Sequence, residues 1–166
     1  VTVANHPVVT VGCWIAKAQT ACYFDQYSYA ADIYREVEAM DLDAMRFSFA
    51  APYYWWNAAR TFYSLHEVFG KRRDLWKARK YRRLLQRTAA RGCPNATPLE
   101  AFWGTQDLAR AKHIDDEELY TVYERGIQQM ADANLVHLEG LLNEKAGFDY
   151  AKRGRRAEAE RYLTVL

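Results

Sequence analysis

The sequence is poor in the residues that usually build catalytic or disulfide-stabilised sites. It has three cysteines, Cys13, Cys22 and Cys93, and no C-x-x-C pair. An odd number of cysteines argues against a disulfide framework. Cys13 and Cys22 would also lie on opposite sides of one straight helix, since each residue turns a helix by about 100°. We therefore predict three free thiols that are buried as small apolar residues.

Sequence motifs of common enzymes are also missing. No G-x-x-x-x-G-K-[ST], G-x-G-x-x-G or G-x-S-x-G segment occurs, and serine is scarce. The four histidines, His6, His66, His113 and His137, form neither H-E-x-x-H nor E-x-x-H. We therefore predict no enzyme activity, no catalytic residue, no metal ligand and no cofactor.

Long apolar runs and targeting signals are absent. No run approaches the roughly 18 apolar residues that a transmembrane helix needs. The first twelve residues have neither the basic start nor the apolar centre of a signal peptide. We expect no transmembrane segment and an intracellular, cytoplasmic location. Because the chain begins without Met and ends within a helical pattern, we also expect it to be a segment of a larger protein.

Helical periodicity fills the chain instead. Apolar residues recur every three to four positions, and no stretch alternates as a strand would. Predicted helices cover Val8–Phe24, Tyr29–Met40, Tyr53–Phe69, Leu75–Ala90, Thr97–His113, a segment from Asp115 through Met130, Asn134–Arg153 and Arg155–Leu166, with Asp41–Ala51 as a helical turn and buried connector. We predict an all-α fold without a sheet, about two-thirds or more helical, in four antiparallel pairs over residues 8–40, 52–91, 97–133 and 134–166.

Several residues mark the expected ends of these helices. Asp25, Asp74 and Thr97 precede apolar-periodic segments, and Thr97-Pro98-Leu99-Glu100 matches a capping box. Asp115–Glu118 places four acids where the positive end of a helix dipole favours them. Gly70, Gly92 and Gly154 follow the predicted helices as residues that readily adopt a left-handed conformation.

The last hairpin has the most specific pattern. Gly147 is followed three positions later by Tyr150, then by the turn residue Gly154, by Ala159 and by Leu163. Small residues at these positions allow two helices to approach closely. This spacing resembles the tetratricopeptide (TPR) repeat. The three preceding pairs are looser copies, with Ala30, Ala78 and Thr121 at the position of Ala159.

The TPR resemblance implies one domain over residues 1–166, folded as a right-handed solenoid of helix pairs. It also implies a concave surface lined by the first helix of each pair, and hence a non-catalytic scaffold for protein–protein interaction within a larger regulatory or signalling protein. The concave set consists of Arg60, Tyr63, Glu67, Lys71, Trp103, Gln106, Arg110, His113, Glu144, Phe148 and Lys152. Its cations and aromatic rings would suit a protein or peptide partner of acidic character.

A second signal is the basic segment Lys71–Arg91. It holds ten basic residues and one acid, Asp74, so this segment carries +9 and the rest of the chain −7. At about 100° per residue, one arc of the helix collects Arg72, Arg73, Lys80, Arg83, Arg87 and Arg91, which we call the basic face. Leu75, Ala78, Tyr81 and Leu85 occupy the other side, so we expect the basic face to be solvent-accessible.

Three functional interpretations remain open beside that of an ordinary solvated surface, which acids such as Glu36, Glu38, Asp41 and Asp43 would partly neutralise. The basic face could bind an acidic protein, or it could bind nucleic acid or another anionic surface. The chain could instead be an all-α small-molecule binder or enzyme with a pocket near Tyr53–Trp56. Those four aromatic residues cover every direction of a helix turn, so we expect at least one ring to be exposed or to contact a neighbouring segment.

Overall fold

The computed structural model describes residues 7–40, 50–111 and 113–164. Helices account for 83% of these residues, and none of them lies in a strand. The all-α prediction is therefore confirmed. The eight helices of this described part are α1 (Pro7–Tyr23), α2 (Tyr27–Ala39), α3 (Ala51–Phe69), α4 (Arg72–Ala90), α5 (Thr97–Ala109), α6 (Asp116–Asp132), α7 (Val136–Lys152) and α8 (Arg156–Leu163). Most of the connector predicted at Asp41–Ala51 lies outside the described residues.

The chain divides into two compact units, Val1–Thr97 and Pro98–Leu166. In the first unit, α1 packs against α2, α2 against α3, and α3 most extensively against α4. In the second unit, α7 contacts both α6 and α8. These contacts join helices that follow each other along the chain, as short connections favour.

Aromatic rings from three helices form the core of the first unit. Tyr54 of α3 meets Tyr34 of α2 edge-to-face at a centroid distance of 5.4 Å and Tyr81 of α4 at 5.6 Å. Phe62 stacks on Tyr81 at 6.0 Å. In the cluster Tyr53–Trp56, only Tyr53 is half-buried, and the other three rings are buried. The cluster therefore contributes core volume, and Tyr54 makes the expected contact with neighbouring segments.

The glycine-based helix ends are confirmed. Gly70, Gly92 and Gly154 have φ values of 67°, 79° and 73°, which side chains with a Cβ rarely adopt. They follow α3, α4 and α7, respectively. Asp115 caps α6, because its Oδ1 accepts a hydrogen bond of 2.8 Å from the backbone N–H of Glu118.

The three other predicted N-caps are wrong. Asp25 adopts a left-handed conformation before Gln26, the residue that precedes α2, and its carboxylate accepts from the Tyr27 hydroxyl. Asp74 lies inside the first turn of α4, where it is buried. Thr97 is the first residue of α5, and its hydroxyl donates to the carbonyl oxygen of Cys93. Asp25 and Thr97 thus bond to other neighbouring groups, and the Asp74 carboxylate lies 3.9 Å from the Arg35 guanidinium.

Close approach of α7 and α8 matches the small-residue pattern of the last hairpin. A Cβ atom at Gly147 would lie 2.6 Å from Cγ of Leu163 and 3.3 Å from the Ala159 carbonyl oxygen. The Tyr150 and Tyr162 rings stack at 5.7 Å. Ala159 is buried. There is therefore no room at this contact for a larger side chain.

We expect Ala159→Trp to lower the free energy of unfolding by about 1–3 kcal/mol, because overpacking forces neighbouring atoms to shift. Urea denaturation followed by circular dichroism would measure this loss. The matched control is Ala157→Trp, since Ala157 lies on the same helix but is exposed. Equal stability of the Ala159 variant and wild type would contradict the close helix contact.

Candidate functional site

The predicted basic face lies on helix α4, whose opposite side is packed in the protein core. Its sequence consists mostly of Arg, Lys, Leu and Ala, which are good helix formers. Ala78, Tyr81 and Leu85 of α4 are buried, because they face the core at spacings of three and four residues. The opposite side is thereby turned outward along the whole helix.

Every member of the basic face is exposed: Arg72, Arg73, Lys80, Arg83, Arg87 and Arg91. Arg79 is exposed on the same side. Lys80 forms an ion pair of 3.2 Å with Glu38. Within the described part of the chain, no acidic side chain pairs with any of the six arginines just named, which are Arg72, Arg73, Arg79, Arg83, Arg87 and Arg91. Their guanidinium groups are therefore unpaired with respect to the described acids, and each can donate to a carboxylate or phosphate of a partner.

Glu38 of α2 holds the flank of α4 in place. Its Oε2 accepts from Lys77 at 2.5 Å, and its Oε1 accepts from the Tyr81 hydroxyl at 2.5 Å. Burial acts to raise the pKa of Glu38, but hydrogen bonds from Lys77, Tyr81 and Lys80 outweigh it and lower this pKa. Burial also raises the pKa of Tyr54 to about 12 and holds that of Tyr81 well above its ordinary value. Both hydroxyls therefore stay protonated at neutral pH.

Asp74 makes a second link between α2 and α4. Its carboxylate is only 3% exposed and lies 3.9 Å from the guanidinium of Arg35. Arg35 also pairs with Asp32 at 2.5 Å. The single acid of the basic segment is therefore directed toward the protein, and it does not neutralise the outward side of α4.

We expect Glu38→Gln to lower the free energy of unfolding by about 1–3 kcal/mol, because charge-assisted hydrogen bonds are lost. The folded-state pKa of Glu38 lies below its ordinary value of 4.5, so its stabilisation is present at neutral pH. It is lost as the pH falls through the folded-state value. Urea titrations at pH 7 and at decreasing acidic pH should show a smaller loss on acidification in the variant. Glu36→Gln is the control, since Glu36 is exposed on the same helix; equal acid sensitivity of wild type and Glu38→Gln would contradict the assignment.

The structure adds Trp76 to the basic face. Its side chain is 64% exposed, although tryptophan is usually largely buried. At about 100° per residue, Trp76 falls between Arg83 and Arg87 at the centre of the basic arc. The signal for Trp76 is present in the sequence, because a helical projection of all residue types, and not of the charges alone, places it in this arc.

The first-unit members of the concave set have different environments. Arg60 is half-buried, with its guanidinium carbon 5.2 Å from the centroid of the Tyr23 ring and 5.9 Å from that of Trp56. Tyr63 is half-buried, whereas Glu67 and Lys71 are exposed. Arg60 is thus held by stacking on aromatic rings, and the two exposed residues lie at the end of α3 and just before α4.

Among the second-unit members, two predictions of accessibility are wrong. Trp103 is 6% and Gln106 4% exposed, so neither presents a side chain to a partner. Both lie on α5, where Phe102 packs edge-to-face on Trp103 and the side chain of Gln106 lies beside the hydroxyl of Tyr123. The remaining members are exposed or half-buried: Arg110, His113, Glu144, Phe148 and Lys152.

Several acidic groups of the second unit are paired, whereas Arg83 and Arg87 of α4 pair with no acid of the described residues. Asp116 accepts from Arg153 at 3.0 Å and from Arg155 at 2.6 Å. Glu124 accepts from Tyr162 at 2.9 Å. These contacts connect α6 with the end of α7 and with α8. Intramolecular pairing therefore occupies Asp116 and Glu124, whereas the exposed arginines of the basic face have no acidic partner among the described residues.

Metal-binding clusters and membrane-spanning helices are both absent from the residues that the structure describes. No group of three or more His, Cys, Asp or Glu side chains there is arranged to hold a metal ion. No described helix is long and apolar enough to cross a membrane.

The three cysteines are free thiols, as predicted. Cys22 is buried, with its Sγ 2.8 Å from the Thr61 hydroxyl, and Cys93 is half-buried. Cys13 is exposed, contrary to our prediction of burial. Burial raises the pKa of the Cys22 thiol.

Comparison of the chain with protein-family models, curated proteins and solved structures finds no match.

Proposed function

We propose that the chain is a non-catalytic protein-binding module that uses the basic face of α4 to bind an acidic segment of a partner protein. In this proposal the helix pairs stack as an antiparallel, TPR-like solenoid, and the module serves as a scaffold within a larger regulatory protein. The observation that carries the proposal is the row of exposed guanidinium groups that pair with no described acid, on a helix that α3 and the side chain of Glu38 on α2 hold in place.

Electrostatic complementarity favours an acidic partner. Unpaired cations on one side of a rigid helix create a local positive potential that attracts negative charge and steers its approach. Arginine also presents a planar fork that fits a carboxylate with two hydrogen bonds. A peptide with several acidic residues can satisfy many of these groups at once.

The other anionic partners fit this helix less well. A helix that binds a lipid surface inserts its apolar side into the membrane, but α4 uses Ala78, Tyr81 and Leu85 in the protein core. Proteins that bind single-stranded nucleic acid stack successive bases on several rings. Besides Trp76, the only aromatic residue of α4 is Tyr81, which is buried.

Peptide titrations test this proposal. A fluorescent peptide of about ten residues, made of alternating Glu and Ser, should bind the protein at low salt, and its affinity should fall as salt rises. The control peptide carries Gln in place of Glu and should not bind. Absence of binding by the acidic peptide at low salt would refute the proposal. Tighter binding of a duplex or single-stranded oligonucleotide would favour the nucleic-acid alternative instead.

A further inference from the structure

The surroundings of Trp76 narrow the choice of partner. Large exposed apolar side chains are common one at a time, but this one is ringed by cations on a single helix face. Arg72 and Arg73 precede it by one helical turn, and Arg79 and Lys80 follow it by one turn. Tryptophan and arginine are among the residue types that are enriched at the positions that dominate binding energy at protein interfaces.

Helix geometry gives the spacing of these groups. With a rise of about 1.5 Å per residue, the cations on either side lie about 5–6 Å from Trp76 along the helix axis. Arg83 lies about 10 Å beyond it, and Arg87 about 16 Å beyond it. In an extended peptide, residues two positions apart are about 6.6–6.8 Å apart and point to the same side. One apolar residue with acids two positions before and after it would therefore match this face.

We propose that Trp76 is the anchor of the acidic-peptide site, and that it selects segments in which an aromatic residue lies between acidic residues. This inference rests on the proposed function of the basic face. The partner's ring would pack on the exposed indole, while its flanking carboxylates would accept hydrogen bonds from the guanidinium groups on both sides. Charge alone would attract any acidic chain, whereas the indole adds a preference for one position within it.

Two peptides distinguish the contribution of Trp76 to binding from that of electrostatic attraction. Both are alternating Glu–Ser peptides of about ten residues in which one central Glu is replaced, by Ser in the first and by Phe in the second. They therefore carry the same charge, and each keeps Glu two positions before and two positions after the replaced residue, on the same side of an extended chain. The wild-type protein should bind the Phe peptide about tenfold more tightly. Trp76→Ala should remove this preference and leave binding of the Ser peptide nearly unchanged. Trp76→Phe should restore most of it.

Phe24→Ala is the matched control, because Phe24 is an exposed ring of the first unit outside α4. This variant should keep the full preference for the Phe peptide. A further readout is the fluorescence difference between wild type and Trp76→Ala, which reports the indole itself. That difference spectrum should move to shorter wavelength when the Phe peptide binds, as the exposed ring becomes covered.

Failure of the inference can be distinguished from failure of the proposed function. Equal affinity of wild type for the two peptides would overturn the anchor and leave the acidic-peptide site intact. The same holds if Trp76→Ala keeps the preference. No binding of either peptide would overturn both proposals. A single-stranded oligothymidine that binds more tightly than the Phe peptide, and that loses affinity in Trp76→Ala, would overturn the peptide anchor in favour of base stacking.

Discussion

Reversal of two charges on the basic face, Arg83→Glu together with Arg87→Glu, is expected to lower affinity for the acidic peptide on the order of 100-fold at low salt. Two attractive groups become repulsive, and the loss should be concentrated in the association rate, because long-range attraction steers the encounter. The effect should shrink as salt rises, since the screening length is about 10 Å at 0.1 M. Stopped-flow fluorescence with the labelled peptide would measure both rates across a salt series.

The matched control for this prediction is Lys17→Glu together with Arg156→Glu. Both residues are exposed and lie outside α4, and the double change alters net charge by the same amount. A loss confined to the Arg83 and Arg87 variant locates the site on α4. An equal loss in both variants would mean that the peptide senses only overall charge, and it would contradict a defined binding face.

The lower peptide affinity of the Arg83 and Arg87 double variant should not result from destabilisation of the fold. Arg83 and Arg87 are exposed and unpaired within the described residues, so each reversal should change the free energy of unfolding by no more than about 0.5 kcal/mol. Urea denaturation of the double variant would establish this. A much larger change would show that the arginines support the helix, and the binding data would then need a variant that keeps the fold.

Replacement of Trp56 is expected to have the largest effect on stability. Trp56 is fully buried, so Trp56→Ala should lower the free energy of unfolding by about 3–5 kcal/mol through lost apolar burial and an unfilled cavity. It also removes a ring on which the Arg60 guanidinium rests. Chemical denaturation, with circular dichroism as the readout, measures the change.

Trp76→Ala is the natural control for this experiment, because the same substitution removes a side chain that is 64% exposed. It should change stability by no more than about 0.5 kcal/mol. The two tryptophans should thus behave in opposite ways: Trp56 in stability and Trp76 in peptide binding. Comparable destabilisation by both substitutions would contradict the exposure of Trp76 and remove the basis for its role as an anchor.

The helix ends show how far local sequence information reaches. Gly70, Gly92 and Gly154 were predicted correctly, because a left-handed residue at a helix end is a backbone requirement that glycine meets without help from distant groups. Asp25, Asp74 and Thr97 were not, because a side-chain oxygen can bond to any donor or acceptor within reach. Asp74 lies close to Arg35, a residue far from it in sequence. A capping side chain can be drawn away from the helix end by such contacts. A glycine at a helix end has no side chain, so its backbone conformation is not affected in this way.

The sequence by itself determined the all-α class, most helix bounds and the outward orientation of the basic face, because a periodicity of 3.6 residues sorts apolar from charged side chains within one helix. Only the tertiary structure decided which residues are buried when helices pack together. Trp103 and Gln106 were expected on an open surface and are buried, whereas the apolar Trp76 is exposed. The burial of a side chain depends on which helices pack against its own helix. Contacts between helices join residues that are far apart in sequence, so the periodicity of one helix does not predict them. The pairing of Glu38 with Lys77 and Tyr81, which fixes α4 in place, arises in the same way.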